Sequence, residues 1–294
     1  MKTSRQLLAI ILVLVVGVLV TGCGGSSQNK ELRVGNIGWD ENVAVSNLTK
    51  VLLEDDLGYD NVELKTLDVG DLFRGVGSGD LDAFQDVWLP NHKDYLGEVQ
   101  DNVEQLDPWF QGTTRFGIAA PTYMDITSID QLNGTDAEDI LGIEPGAVIM
   151  EKIPDEVIPA YGLKQDLVES STAGMLSEVK NRYNNKEDFA FVAWSPHWMN
   201  QRYEFSYLDD PKDALGELKD PAQLSTIVNK GLNDKDPVAY AFLKAMRLDE
   251  EQVNDLEDVI NDAGDPLKGA RQWTQDNRDV VEPWLEAARN AQQG

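Results

Sequence analysis

From Glu31 onward the chain alternates short apolar strands with amphipathic helices, and it does so in two successive sets. No other feature constrains the fold as much, because this alternation calls for mostly parallel sheets covered by helices on both faces. In the first set, Glu31 to Ile37 reads as a strand, with Leu32, Val34 and Ile37 apolar. A helix begins near Asn42, with Val45, Leu48, Val51 and Leu52 on one face and Gly58 as its stop. Val62 to Leu67 and Leu81 to Trp88 are further strands, separated by a short helix around Asp71 to Val76. Another helix is expected from about His92 to Val103, and then a strand from Thr114 to Ala119 that Pro121 breaks. The second set holds strands at Asp139 to Ile143, Leu167 to Glu169 and Phe189 to Trp194. Its helices start at Val148, where Pro154 and Pro159 should shorten or kink the run, and at Thr172. Glu204 to Leu208 leads back to the first set, and Pro221 to Gly294 reads as helical throughout. The helical segments there are expected near Pro221 to Asn229, Pro237 to Met246, Glu250 to Ala263 and Pro266 to Ala287. Two lobes follow: residues 31–118 plus 207–294 in one, residues 119–206 in the other.

The N-terminus stands apart. Lys2 and Arg5 precede an apolar run from Leu7 to Val20, shorter than the ~20 residues a membrane span needs. A charged start, a short apolar run and small residues after it read as a secretion signal over residues 1–22. The single cysteine of the chain, Cys23, follows in Val20-Thr21-Gly22-Cys23, which resembles the bacterial lipobox. That resemblance implies a lipid on Cys23, a tether over residues 23–30 and a protein held to the outer face of the cell membrane by its lipid alone. With one cysteine no internal disulfide can form, so the exported part must be held by its core. The net charge of −27 repels nucleic acid and anionic lipid.

Two stretches echo each other: Asp86-Val87-Trp88-Leu89-Pro90-Asn91-His92 and Phe191-Val192-Ala193-Trp194-Ser195-Pro196-His197. Each is an apolar run ending in Trp-x-Pro, and they contain both histidines of the chain. With Trp39 in Ile37-Gly38-Trp39-Asp40, they place three indoles at strand ends, where parallel sheets bind ligands. Helix starts near Asn42, His92 and Val148 should point unpaired N–H groups the same way, which suits an anion. Indole faces and anion donors together match a zwitterion that carries a quaternary ammonium and a carboxylate. The indole walls offer no evident acceptor for an N–H, so a head group without N–H is favoured. Trp109, Trp273 and Trp284 read as packing residues, Trp198 as possible backing for the cage, and His197 as a structural histidine. No metal-ligating cluster and no phosphate loop is present in the sequence, and no cofactor is expected. A secreted glycoside hydrolase would need paired carboxylates; Asp40, Asp86 and Glu144 are the candidates near strand ends, and nothing in the sequence pairs them.

The motifs Gly38-Trp39-Asp40-Glu41-Asn42-Val43-Ala44, Trp88-Leu89-Pro90-Asn91-His92-Lys93-Asp94-Tyr95 and Trp194-Ser195-Pro196-His197-Trp198 resemble the glycine betaine-binding proteins of ABC importers. The resemblance covers nearly the whole chain after the signal. It implies an α/β, two-lobed periplasmic-binding-protein fold of type II, each lobe a mostly parallel sheet flanked by helices, with a helical C-terminal tail. It implies a cage of Trp39, Trp88 and Trp194, and a ligand carboxylate held by His92 and by the main-chain N–H groups of Val148 and Ile149. Relative to the family, His92 lies one residue closer to its tryptophan, and Val148 stands where glycine is common. The implied role is non-enzymatic: a monomeric receptor that passes glycine betaine or proline betaine to an ABC permease for osmoprotection. Choline, carnitine or another small solute is the alternative ligand.

Overall fold

A computed structural model describes residues 30–293; the secretion signal over 1–22, Cys23 and all of the tether but Lys30 lie outside the described residues. The first sheet has the strand order β2-β1-β3-β10-β4, with β1 (Glu31–Asn36), β2 (Asn61–Thr66), β3 (Ala83–Leu89), β4 (Val103–Gln105) and β10 (Gln223–Asn229). The second has the order β7-β6-β8-β5-β9, with β5 (Arg115–Pro121), β6 (Asp139–Leu141), β7 (Asp166–Val168), β8 (Ala190–Ser195) and β9 (Phe205–Tyr207). Each sheet is mixed. β1 pairs in parallel with β2 and β3, and β6 with β7 and β8. β10 and β5 run antiparallel to their neighbours.

Helices follow the strands as the pattern requires. In the first set these are α1 (Asp40–Leu57), α2 (Val69–Ser78) and α3 (Lys93–Val99). In the second they are α4 (Val148–Lys152), α5 (Ile158–Tyr161), α6 (Thr172–Asn185) and the short α7 (Met199–Arg202). Between α4 and α5 the backbone widens to a π-helical turn, Ile153–Val157. Pro154 and Pro159 lack the N–H groups an α-helix would use there, so the kink expected from sequence takes this form. The C-terminal helices are α8 (Leu232–Lys235), α9 (Pro237–Ala245), α10 (Glu250–Ala263), α11 (Pro266–Asp276) and α12 (Arg278–Ala291). None of the described helices is long and apolar enough to cross a membrane.

Three secondary-structure expectations are corrected. Gln223–Asn229 is not helical but the strand β10, inserted between β3 and β4. Its Thr226-Ile227-Val228 run is β-branched and buried on both faces, so Leu224, Ile227 and Val228 all lie in the core. The helix expected to reach Val103 ends at Val99 instead, and Val103–Gln105 pairs with β10 as an edge strand. The helix expected from Pro266 to Ala287 divides at Asn277, where α11 gives way to α12. The lobe boundaries expected at 118/119 and 206/207 cut through β5 and β9, both of which lie whole in the second sheet.

Ile227 sits in the middle of the first sheet with no exposed surface. Ile227→Ala should lower unfolding free energy by about 2–5 kcal/mol in a denaturant titration. A loss under about 0.5 kcal/mol would place this segment outside the core.

Candidate functional site

Between the two sheets lies a cavity lined by Trp39, Glu41, Trp88, Asn91, His92, Phe116, Ile143, Ala147, Val148 and Trp194. All three strand-end indoles named from sequence meet there. Trp39 is placed by Gly38, whose φ of +97° turns the chain sharply between β1 and α1, a conformation glycine adopts without strain. Trp88 closes β3 and Trp194 closes β8, each followed by a cis X–Pro bond.

Each indole is held by a carboxylate. The Trp39 Nε1–H donates to Glu144 Oε2 at 3.1 Å, and Thr172 donates to the same carboxylate through its N–H and its hydroxyl, at 2.8 Å each. Trp88 Nε1–H donates to Asp86 Oδ1 at 3.0 Å, and Trp194 Nε1–H to Glu41 Oε2 at 2.8 Å. A fourth ring follows the same rule outside the cavity: Trp198 Nε1–H donates to Asp40 Oδ2 at 3.2 Å, which also takes a 2.7 Å bond from His197 Nε2. Asp40, Asp86 and Glu144, the carboxylates a hydrolase would have used, are thus all engaged by ring N–H groups. The sequence pattern did not reveal this. Acidic residues beside a tryptophan (Asp86, Asp40, Glu41) were its only local sign, and the Glu144 and Glu41 pairings cross from one sheet's elements to the other's.

The two histidines separate by role. His92 lines the cavity, stacks against Trp39 with ring centroids 5.9 Å apart, and accepts the Trp88 backbone N–H at Nδ1, 3.2 Å away. Burial pulls its pKa down to about 3, so the ring is neutral and the proton sits on Nε2, which has no partner among the described residues. The shorter spacing after Trp88 therefore still brings a donor to the cavity. His197 is fully buried: Nδ1 accepts from Met199 N at 3.0 Å, so Nε2 carries the hydrogen given to Asp40. It matches the structural role expected of it. Trp198 backs His197 rather than the cavity. Trp109, Trp273 and Trp284 are core residues, as expected.

Of the three helix starts expected to offer N–H groups, α3 does not and α4 does. At α3 the His92 N–H is bonded to Trp88 O and the Lys93 N–H to Pro90 O. At α4 the Val148 and Ile149 N–H groups have no partner among the described residues, as befits the first turn of a helix. Val148 lines the cavity, while the Ile149 side chain is buried behind it.

Two lining groups contradict the expectation that the walls hold no acceptor. Glu41 brings a carboxyl group to the cavity, and Asn91 brings an amide whose buried Oδ1 has no partner. Phe116, 6.0 Å from Trp88, is a further aromatic wall that sequence reading passed over, although it lies on the strand carrying Gly117 to Pro121. The arrangement offers π-faces for a cation, a neutral imidazole N–H and two amides for an anion, and one carboxyl pair beneath the cage.

A family described as the substrate-binding domain of ABC-type glycine betaine transport systems matches residues 30–276. The glycine betaine/carnitine transport binding protein GbuC of Listeria monocytogenes serotype 1/2a (strain 10403S) is 34% identical over 160 residues, 53% of this chain and 51% of that protein. The match therefore spans about half the length of that curated relative. Lactococcal OpuAC, crystallised closed around glycine betaine, superposes with a TM-score of 0.78 at 28% identity, covering 87% of this chain and 99% of that one. An ABC-transporter choline-binding protein in complex with choline superposes at 0.76 with 25% identity, covering 89% and 97%.

In ring-nitrogen NMR, His92 should keep its neutral Nε2–H form from pH 8 down to pH 5. A ring that gains a second proton in this range would show that burial does not hold it neutral.

Proposed function

The chain belongs to the family of substrate-binding domains of ABC-type glycine betaine transport systems, and we propose that it captures glycine betaine or a related quaternary-ammonium solute for such an importer. The observation that carries this reading is the convergence of Trp39, Trp88 and Trp194, from both sheets, on one cavity. A trimethylammonium group has no N–H to donate, so hydrogen bonds cannot hold it; indole faces can, at about 0.5–2 kcal/mol each. The carboxylate would sit against the His92 Nε2–H and the Val148 and Ile149 N–H groups. Binding proceeds without turnover, and the solute passes on unchanged to the permease.

In this reading residues 1–22 direct export, and Cys23 carries the lipid that holds a monomeric receptor on the outer face of the membrane. The lobes are divided within the segments leading to β5 and from β9 to β10. Arg202 supports closure from the second lobe, with bonds of 2.9 and 2.8 Å to Asp258 and Asp262 on α10.

Choline is the second reading, favoured by the likeness to a choline-bound protein and by the acceptors Glu41 and Asn91 at the cavity. It lacks a carboxylate, so His92 and the α4 amides would stay unmatched, at about 1–3 kcal/mol for each buried donor. Glycine betaine should therefore bind at least tenfold more tightly than choline.

Titration calorimetry tests the cage directly. Trp88→Ala and Trp194→Ala should each weaken glycine betaine at least about tenfold, while Phe at either position should lose less because a π-face remains. His92→Ala should weaken binding with the fold intact. Unchanged affinity in both alanine variants would remove the indoles from the site, and choline binding more tightly than betaine would reverse the ligand assignment.

Cys23→Ser should abolish lipid attachment and release the protein from membranes. A mutant that stays in the membrane fraction uncleaved would make the leader a membrane anchor in its own right.

A further inference from the structure

Beneath the cage, acidic side chains meet with no basic partner among them. Glu41 opens α1, lines the cavity and is 1% exposed. Asp86, from β3, is fully buried, takes the Trp88 indole N–H as Glu41 takes that of Trp194, and leaves its Oδ2 without a hydrogen-bond partner among the described residues. Glu257, from α10, is 2% exposed; it accepts the Trp198 N–H at 2.7 Å and leaves its other oxygen unpartnered. Asp40, at the start of α1, faces Glu257 and is capped by His197 and Trp198. The other titratable groups nearby are the neutral His92, the Glu144 carboxylate held by Thr172, and, beyond Glu257 and Trp198, Asp258 paired with Arg202. The charges that bear most strongly on Glu41 are Asp86 and Glu257, both negative.

Two carboxylates so close and so dry cannot both stay ionised unless a positive charge joins them. The cavity they face is the one whose indole walls suit a quaternary ammonium. We propose that Glu41, backed by Asp86, is the specificity residue that makes the cage take a cation, and that the pair releases a proton to solvent as the ammonium enters. This rests on the reading of the cavity as a betaine site. The indoles accept any apolar head of the right shape, but the carboxyl pair distinguishes N⁺ from its uncharged carbon counterpart. Burial first, then the neighbouring negative charge, pushes Glu41 well up from its ordinary range, and burial pushes Asp86 up to about 7. A cation beside them favours the ionised forms, so affinity for it rises with pH through the window around 7 and falls on acidification.

The test compares glycine betaine with tert-butylacetate, which has the same shape and carboxylate but carbon in place of N⁺. For the wild-type protein, betaine affinity should fall about three- to tenfold from pH 8 to pH 6, while tert-butylacetate affinity should not fall. Calorimetry at pH 7 in two buffers of different ionisation enthalpy should show proton release with betaine only. In Glu41→Gln and in Asp86→Asn, each checked by thermal melt, the betaine to tert-butylacetate preference at pH 8 should shrink at least about tenfold and the pH dependence flatten. Either variant suffices if the other does not fold. A folded variant that keeps both the preference and the pH dependence overturns the proposal and leaves the betaine reading standing. A wild-type protein that binds neither compound at any pH defeats the betaine reading itself.

Discussion

An indole N–H facing a buried carboxylate is the interaction on which the site depends. A tryptophan wall holds a cation only if its face, not its edge, points inward, and a ring hinged at Cβ can swing. In this protein Glu144, Asp86 and Glu41 each take one indole N–H and fix the plane of Trp39, Trp88 and Trp194. A charge-assisted hydrogen bond is short and directional, which makes it a better orienting device than apolar contact alone. Two of the three cross between lobes. Trp39 on the first lobe is held by Glu144 on the second, and Trp194 on the second by Glu41 on the first. The same bonds that orient the cage therefore hold the lobes together around it.

That arrangement explains why so many acids are buried in a chain that is acidic throughout. Surface carboxylates in this protein are solvated or paired with Lys and Arg, as in Arg278 with Asp56 and Arg271 with Asp55. Exposed pairs of this kind contribute little to stability. Glu41, Asp86 and Glu257 are different: their nearest partners are indole and main-chain N–H groups rather than cations. Burying them costs free energy that the hydrogen bonds only partly offset, and their position beneath the cage is where that cost has a use.

The backbone around the site is arranged to the same end. β3 and β8 deliver Trp88 and Trp194, one at the end of each sheet's strand next to the antiparallel insertions β10 and β5. Beyond Trp88 the chain turns so that the His92 Nδ1 accepts that same residue's N–H, which leaves Nε2–H for the cavity. Opposite it, α4 contributes an N-terminal turn whose Val148 and Ile149 amides have no partner among the described residues, and the π-helical turn that follows re-aims the chain after Pro154. Positive face and negative floor thus sit on different elements of one small cavity.

Much of this was legible in the sequence, because it depends on local order. Alternating strands and helices, the stop at Gly58, the kink at the prolines and the three indoles at strand ends all follow from short-range pattern. The strand β10 was not legible as part of a sheet: its pairing with β3 lies far along the chain, and helical neighbours on its C-terminal side masked a β-branched run. Above all, the sequence determined which residue types line the cavity, but the tertiary structure alone decided what the carboxylates do. Asp86 and Glu41 look like surface acids in a chain full of them; only packing against indoles and each other, out of water, turns them into the charged floor of a cage.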